Sequence, residues 1–250
     1  MRHPAGRGAP MTVLLWGALP CLAFALLVAG LVRRYRYDKY GWTTRSSQVY
    51  ESRLLNVASP VFHYGILFVL AGHPIGLFVP ASWTAAAGVS ERSYHLFSLY
   101  GGTAAGVPAV AGIALLVYRR RTRVPVFRAT TANDKAMYVP LLGALVLGMA
   151  AKPAHPVGQG YDYRSTIGPW ARGLFTLRPR TRLMTGVPVL YQVHAVVGMV
   201  LIAFVPYSRL VHMFSAPVQY LFRPYVVYRT RDPRQLGPRA ERRGWERPGG

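Results

Sequence analysis

Long apolar stretches alternate with short basic ones along this chain. Five apolar segments stand out, at residues 11–32, 55–79, 94–118, 137–151 and 187 to about 214. The first carries no charge over about 22 residues, and a helix of that length rises about 33 Å, enough to span a bilayer. The fourth is shorter than the others. The pattern predicts an all-α membrane protein with five transmembrane helices.

Composition supports the membrane assignment. Of the 250 residues, 52% are hydrophobic and 15% are charged, whereas a soluble domain carries about 25% charged residues. The single cysteine, Cys21, excludes an internal disulfide framework, a Cys-based zinc site and an iron–sulfur cluster held by this chain alone. We expect one transmembrane domain over residues 1–228, followed by a basic cytoplasmic tail over 229–250 that is partly disordered.

Charge orients the segments. The formal net charge is +22, and about two thirds of the basic residues fall in the first and third loops and the C-terminal tail. The positive-inside rule therefore predicts an outer N-terminus and a cytoplasmic C-terminus, with segment one retained rather than cleaved as a signal peptide. The Arg-rich loop between segments four and five conflicts with this orientation. The basic residues flank helix ends, where they contact lipid headgroups, so we expect no nucleic-acid binding.

Four histidines lie inside apolar segments, His63 and His73 in segment two and His194 and His212 in segment five. Antiparallel packing of the two segments pairs His63 with His212 and His73 with His194. Along a continuous helix, His63 and His73 would be about 15 Å apart, and His194 and His212 would be about 27 Å apart. Tilt and a kink at Pro206 would have to absorb the difference, which suits a large planar ligand better than a compact ion site.

Haem is such a ligand, and two trans-membrane histidine pairs would hold two haem b groups. Alternatively, the histidines are hydrogen-bonding residues at helix interfaces. Nearby glycines either let the macrocycle approach the backbone or belong to ordinary helix packing; they are Gly65, Gly72 and Gly198. Arginines near the inner helix ends are either propionate partners or topology charges; they are Arg119, Arg120 and Arg209. No Asp or Glu lies inside an apolar segment, which argues against an ion-coupled transporter.

These residues resemble a known family, the gamma subunit of bacterial membrane-bound respiratory nitrate reductase, which is a dihaem cytochrome b. The resemblance covers about residues 33–228 and includes both histidine spacings. The matching runs are RYD at 36–38, SSQ at 46–48, NVAS at 56–59, FHYGIL at 62–67, GH at 72–73, RATT at 128–131, GM at 198–199, PYSRLVH at 206–212 and SAPVQYL at 215–221.

The resemblance implies a function for each histidine pair. His73 and His194 would be the axial ligands of an outer haem that accepts electrons from menaquinol or ubiquinol. His63 and His212 would be those of an inner haem. This second haem would pass the electrons to an iron–sulfur beta subunit and a molybdenum alpha subunit that reduces nitrate at the cytoplasmic side. Turnover would contribute to the proton motive force across the bacterial cytoplasmic membrane.

The quinol site is the least certain part of the resemblance. Its candidate residues are Gly72, His73, Arg92 and His95. Part of the family uses a lysine near the outer haem, and this chain has none there. Alternatively, Arg92 is a charge at the start of a helix and His95 is a neighbour of the interfacial aromatic belt.

Two other functions stay open at this point. One is a dihaem cytochrome b that anchors a different respiratory reductase, such as a sulfur, heterodisulfide or formate enzyme. The other is a haem-free membrane anchor or transporter whose buried histidines serve packing or metal passage.

Overall fold

The computed structural model describes residues 8–38, 47–151 and 161–214, and every regular element in these ranges is helical. Helix α1 (Gly8–Val13) continues through a π-helical turn (Leu14–Ala18) into α2 (Leu19–Tyr37). The remaining elements are α3 (Arg53–Phe78), α4 (Ala81–Ala86), α5 (Glu91–Thr122), α6 (Val124–Arg128), α7 (Ala132–Ala150), α8 (Ile167–Phe175), a 3₁₀ turn (Thr181–Met184), α9 (Val189–Phe204) and two further 3₁₀ turns (Val205–Tyr207 and Arg209–Phe214).

Four helices are long and apolar enough to cross a membrane. They are Pro10–Tyr37, Arg53–Phe78, Glu91–Thr122 and Val189–Tyr207, of 28, 26, 32 and 19 residues. The prediction of an all-helical membrane protein is therefore confirmed. The fourth predicted segment forms α7, which is not among these four. Its first turn holds Asn133, Asp134 and Lys135, so its apolar part is short and rises only about 21 Å.

Segment five is not one continuous helix. Helix α9 ends at Phe204, and 3₁₀ turns at Val205–Tyr207 and Arg209–Phe214 follow it. Pro206 supplies no N–H for a continuing α-helix, and Ser208 adopts an extended conformation with φ −126° and ψ −178°. His212 therefore lies on a redirected segment rather than five helical turns below His194. The interval of about 27 Å between His194 and His212 assumed an unbroken helix. Because the helix is broken, the mismatch between this interval and the His63–His73 interval does not apply.

Helices α3 and α5 approach each other closely along glycines. A Cβ on Gly65 would lie 2.5 Å from the backbone nitrogen of Ala109, and a Cβ on Gly112 would lie 2.5 Å from the backbone nitrogen of Phe62. Small residues allow this contact between membrane helices. Gly65 thus serves helix packing, which is one of the two alternatives open from the sequence.

Helix α9 packs against α2 on one side and α7 on the other. A buried aromatic pair closes the end of the bundle near the start of α9: the rings of Trp16 and Trp170 meet edge to face, with centroids 5.8 Å apart. The indole Nε1 of Trp170 also donates to the carbonyl oxygen of Trp16 at 2.7 Å. Trp16 lies in the π-helical turn, where the regular helical hydrogen bonding is altered and a carbonyl can accept a bond from outside the helix.

Many large apolar side chains face outward on the long helices, among them Leu22, Val28, Leu67, Phe68 and Val107. So much exposed apolar surface is typical of a membrane or partner-binding face rather than of a soluble monomer. The predicted domain boundary at residue 228, the basic tail, His3 and His155 lie outside the described residues.

Candidate functional site

The four histidines of the apolar segments meet in the two predicted pairs. The ring centroids of His63 and His212 lie 6.1 Å apart, and those of His73 and His194 also lie 6.1 Å apart. In each pair one ring comes from α3, and the other comes from α9 or from the turn that follows α9. The pairing derived from antiparallel packing is therefore the pairing of the structure.

Three of the histidines are held by the same kind of hydrogen bond. Nδ1 of His63 lies 2.7 Å from the carbonyl oxygen of Ser59, and Nδ1 of His73 lies 2.7 Å from that of Val69. Nδ1 of His212 lies 2.6 Å from the carbonyl oxygen of Arg209. A carbonyl acceptor places the proton on Nδ1 and leaves the Nε2 lone pair for a metal. These rings have the tautomer that an axial haem ligand requires.

The spacing of each pair fits a shared metal. An imidazole nitrogen bonds a transition metal at about 2.0 Å, and the ring radius is about 1.1 Å, so two axial imidazoles have centroids about 6.2 Å apart. Among the described residues, no three His, Cys, Asp or Glu side chains form a group able to hold a metal ion. Two protein ligands at this spacing suit an iron whose other four ligands come from a macrocycle.

The glycines beside the ligands differ in their surroundings. A Cβ added to Gly72 or to Gly198 would meet nothing within 4 Å. Gly72 directly precedes His73, and Gly198 follows His194 by one turn, so both leave room beside a ligand. This room fits a large flat group lying close to the backbone.

The three arginines proposed for the propionates already have protein partners. Arg119 is buried and donates to Oγ and the carbonyl oxygen of Ser47, at 2.8 and 2.9 Å, and to Glu51. Arg120 donates to the Tyr138 hydroxyl at 2.8 Å and to Thr130 Oγ1 at 3.1 Å, and Arg209 pairs with Asp134.

Glu51 is the carboxylate that accepts from Arg119. The backbone N–H of Leu54 donates to its Oε1 at 2.7 Å. This bond is the main reason why the pKa of Glu51 lies below its ordinary value of 4.5, and Arg119 lowers the pKa further against the opposing effect of burial. The buried arginine therefore has a charged partner at neutral pH.

A second polar cluster surrounds the end of α3 that carries His73. Arg164 is buried, and its Nη1 lies 3.1 Å from both carboxylate oxygens of Glu91. Its guanidinium lies over the ring of Tyr94, 3.7 Å from the centroid, and its Nε has no hydrogen-bond partner. The Tyr94 hydroxyl donates to the carbonyl oxygen of Ile75 at 3.4 Å, two residues beyond His73.

Of the two residues predicted for the quinol site in this region, His95 joins the cluster. Its Nε2 lies 4.0 Å from Glu91 Oε2, and its ring contacts that of Tyr163, with centroids 6.3 Å apart. Arg92 is exposed. The described contacts therefore link His95, and not Arg92, to the residues around the end of α3.

The sequence comparisons agree with this geometry. A family described as "Nitrate reductase gamma subunit" matches residues 12–231. This chain belongs to the nitrate reductase gamma subunit family. It is 38% identical over 218 residues to the nitrate reductase gamma chain of Bacillus subtilis, covering 87% of this chain and 98% of that protein.

Two further relatives show the range of the family. Identity to the respiratory nitrate reductase 1 gamma chain of Escherichia coli is 32% over 219 residues, covering 85% of this chain and 94% of that protein. Identity to the nitrate reductase-like protein NarX of Mycobacterium tuberculosis is 52% over 240 residues and 95% of this chain. The chain spans only 37% of the length of NarX, so it corresponds to one part of that longer protein.

Sequence reasoning missed the contribution of Arg164 to this gamma subunit. From the sequence, Arg164 is only one of the basic residues in the loop between segments four and five, which conflicts with the positive-inside rule. A usable signal was present: Glu91 and Tyr94 are three residues apart, so they share a face of α5 and provide both a carboxylate and an aromatic ring for a guanidinium. What the sequence does not show is which of the arginines in the loop between segments four and five reaches that face.

Proposed function

We propose that this chain is the quinol-oxidising cytochrome b subunit of a respiratory nitrate reductase. The observation that carries the proposal is the pair of His–His contacts, each with ring centroids 6.1 Å apart, in a member of the gamma subunit family. Two b haems bound at these pairs would supply one-electron transfer between quinol and a partner subunit. The chain itself contributes the axial ligands, their orientation and an apolar surrounding.

In this proposal the chain crosses the bacterial cytoplasmic membrane five times. The N-terminus is outside and the C-terminus is cytoplasmic, with α7 as the shortest crossing. The last turn of α5 carries Arg119, Arg120 and Arg121, which suits a cytoplasmic end. The His73–His194 pair is then the outer pair and the His63–His212 pair the inner one.

The inner pair faces the partner subunits that the function requires. Electrons leaving this end would pass to an iron–sulfur beta subunit and then to a molybdenum alpha subunit, where nitrate is reduced. Of the three arginines, Arg120 and Arg209 are the better candidates for the propionates, because Arg119 is buried and uses Nε, Nη1 and Nη2 in bonds to Ser47 and Glu51. A dihaem anchor of a different reductase remains the alternative, and purification with the catalytic subunit separates the two.

Quinol would be oxidised beside the outer pair. Gly72 and His73 lie at that end of α3, with Arg92 and His95 at the start of α5. The contact between His95 and Glu91 supports His95 as the residue that leads a proton away from quinol. Replacing Arg92 and His95 singly with Ala tests both: we expect slower quinol-dependent haem reduction for His95→Ala. An unchanged rate removes the substituted residue from the site.

The decisive experiment is a reduced-minus-oxidised spectrum of the detergent-purified chain with haem quantification, repeated for His63→Ala and His194→Ala. We expect two b haems in the native chain and one in each variant, because each substitution removes one axial ligand of one haem. A folded native chain with no haem would overturn the proposal and leave a haem-free anchor or transporter.

A further inference from the structure

Helix α7 contains no histidine, but it contacts the two chain segments that carry His194 and His212, the partners of the histidines of α3. It packs along α9, which carries His194. Its N-terminal turn is bonded to Arg209, in the turn that carries His212, and to Tyr207, in the turn before it. Helix α7 therefore contacts the segment that carries His194 near one of its ends and the segment that carries His212 near the other.

At one end, Gly148 lies directly against the His194 ring. A Cβ added to Gly148 would lie 3.0 Å from Cε1, 3.5 Å from Nδ1 and 3.6 Å from Nε2 of that ring. Carbon atoms reach optimal contact at about 3.5–4.0 Å, so a methyl group at residue 148 would displace the imidazole by several tenths of an ångström. The ring sits where it does because residue 148 has no side chain.

This packing contact matters because His194 lacks the anchor that the other three ligands have. The Nδ1 atom of His194 is buried and makes no hydrogen bond, although the ring lies near the Ala144 carbonyl of the same helix α7. The other three histidines have their Nδ1 atoms 2.6–2.7 Å from a carbonyl of their own segment. The orientation of the His194 ring therefore depends on the surface of α7.

At the other end, Asp134 holds the turn that carries His212. Asp134 is buried and accepts two hydrogen bonds from Arg209, one of them at 2.9 Å. Its backbone and side chain also form a capping box with Thr131 at the start of α7, so the carboxylate itself is fixed. The neighbouring Asn133 donates to the carbonyl oxygen of Tyr207 at 2.7 Å.

The carbonyl of Arg209 is in turn the acceptor for Nδ1 of His212. A direct path of contacts therefore runs from the start of α7 through Arg209 to the inner ligand. The turn between Arg209 and Phe214 is a short 3₁₀ element, whose own hydrogen bonds are weaker than those of an α-helix. It depends on such external bonds for its position.

We propose that α7 positions the ligands of both haems, Gly148 for His194 of the outer haem and Asp134 for His212 of the inner haem. The inference rests on the proposed function, because it assumes that the histidine pairs bind haem. Both residues are positioning residues rather than ligands. Each acts on one haem only, and this selectivity distinguishes the proposal from a general contribution of α7 to folding.

The first test is Gly148→Ala in the purified full-length chain. We expect the midpoint potential and the low-spin electron paramagnetic resonance signal of the outer haem to shift, while those of the inner haem stay at their native values. The matched control is Gly143→Ala on the same helix, where the new Cβ would meet Val197 Cγ1 at an ordinary 3.5 Å. Both substitutions improve helix propensity by about the same amount, so only the contact with His194 differs.

The second test is Asp134→Asn, which removes the charge but keeps the shape of the side chain. We expect the potential and signal of the inner haem to shift and those of the outer haem to stay unchanged. The control is Asp38→Asn, the same change at an exposed carboxylate that pairs with half-buried Arg34, which should alter neither haem. Haem content should remain at two per chain in all four variants.

Three results would overturn the inference: native signals in Gly148→Ala and Asp134→Asn, equal shifts of both haems in either variant, or the same shift in Gly143→Ala as in Gly148→Ala. A native chain without haem would instead refute the proposed function. Because the native chain is measured first, failure of the positioning role and failure of the proposed function give different results.

Discussion

Arg119 illustrates how a single charged residue is accommodated at the C-terminal end of α5. Its side chain is 1% exposed, and each of its nitrogens donates to Ser47 or Glu51. A buried guanidinium without these acceptors would be strongly unfavourable. The last turn of α5 is therefore tied to the segment that precedes α3.

This arrangement predicts a pH effect for Glu51→Gln. Because the folded pKa of Glu51 lies below its ordinary value of 4.5, the carboxylate stabilises the fold fully above about pH 4.5, and this stabilisation is lost as the pH falls through the lowered pKa. We expect the variant to unfold at a lower temperature at pH 7 and to lose less stability on acidification. Thermal unfolding in detergent at pH 7 and pH 4 measures both.

The control is the Arg34–Asp38 pair, whose charged atoms lie 3.4 Å apart and whose carboxylate is exposed. Exposed pairs contribute little, so Asp38→Asn should unfold at the native temperature at pH 7. If Glu51→Gln and the native protein lost the same stability between pH 7 and pH 4, the assigned role of Glu51 would be wrong.

At the scale of single residues, the sequence predicted which histidines meet better than it predicted the residues around them. The histidines are identifiable because ionisable residues in apolar segments are rare and need partners. The partners of Arg119 and Arg164 were not predictable, since Glu51 is 68 residues from Arg119 and Glu91 is 73 residues from Arg164. The spacing of Glu91 and Tyr94 indicates a site for a guanidinium on α5, but no local pattern identifies Arg164 as the residue that fills it or Glu51 as the partner of Arg119.

At the scale of helices, the contact of α3 with α5 gives the clearest prediction. In Gly112→Ala the new Cβ would lie 2.5 Å from the backbone nitrogen of Phe62. Because atoms cannot approach so closely, the backbone of one of the two helices would have to move. We expect a loss of stability of about 1–3 kcal/mol, measured by thermal or denaturant unfolding in detergent.

The matched substitution on the same helix is Gly101→Ala, whose Cβ would meet nothing within 4 Å. This variant should be as stable as the native protein or more stable, because Ala favours helix by about 1 kcal/mol over Gly. Equal destabilisation by both substitutions would show that helix propensity or a local kink, rather than interhelical distance, decides the outcome.

Helix positions were largely predictable, and helix ends were not. Long hydrophobic runs identify α2, α3, α5 and α9, the helices of the four candidate membrane spans. The break after Phe204 was anticipated only as a kink at Pro206. The proline removes one hydrogen bond, and the extended conformation of Ser208, whose hydroxyl donates to the Val205 carbonyl and accepts from the Leu210 N–H, also contributes.

At the scale of the whole molecule, the open question is whether α7 crosses the membrane. Single cysteines at positions 86, 121 and 178 answer it, in a Cys21→Ser background. They replace exposed residues Ala86, Arg121 and Arg178. If α7 crosses, an impermeable maleimide added to intact spheroplasts should label positions 86 and 178 but not position 121.

Labelling of position 86 alone would mean that α7 does not cross and that the chain has four membrane helices. Labelling of all three after detergent permeabilisation is the necessary control for reactivity. The charge rule predicts the first pattern, although residues 172–182, with four arginines on the outer side, act against it.

Under the proposed function, the division of the haem ligands between helices has a consequence for biogenesis. Helices α3 and α5 form one close-packed hairpin and α7 with α9 another, and both pack over modest sequence separations. Each histidine pair joins residues more than 120 positions apart, one from each hairpin. We therefore expect both hairpins to insert during translation and haem to join them last, so that haem-starved cells accumulate a two-part, protease-sensitive precursor.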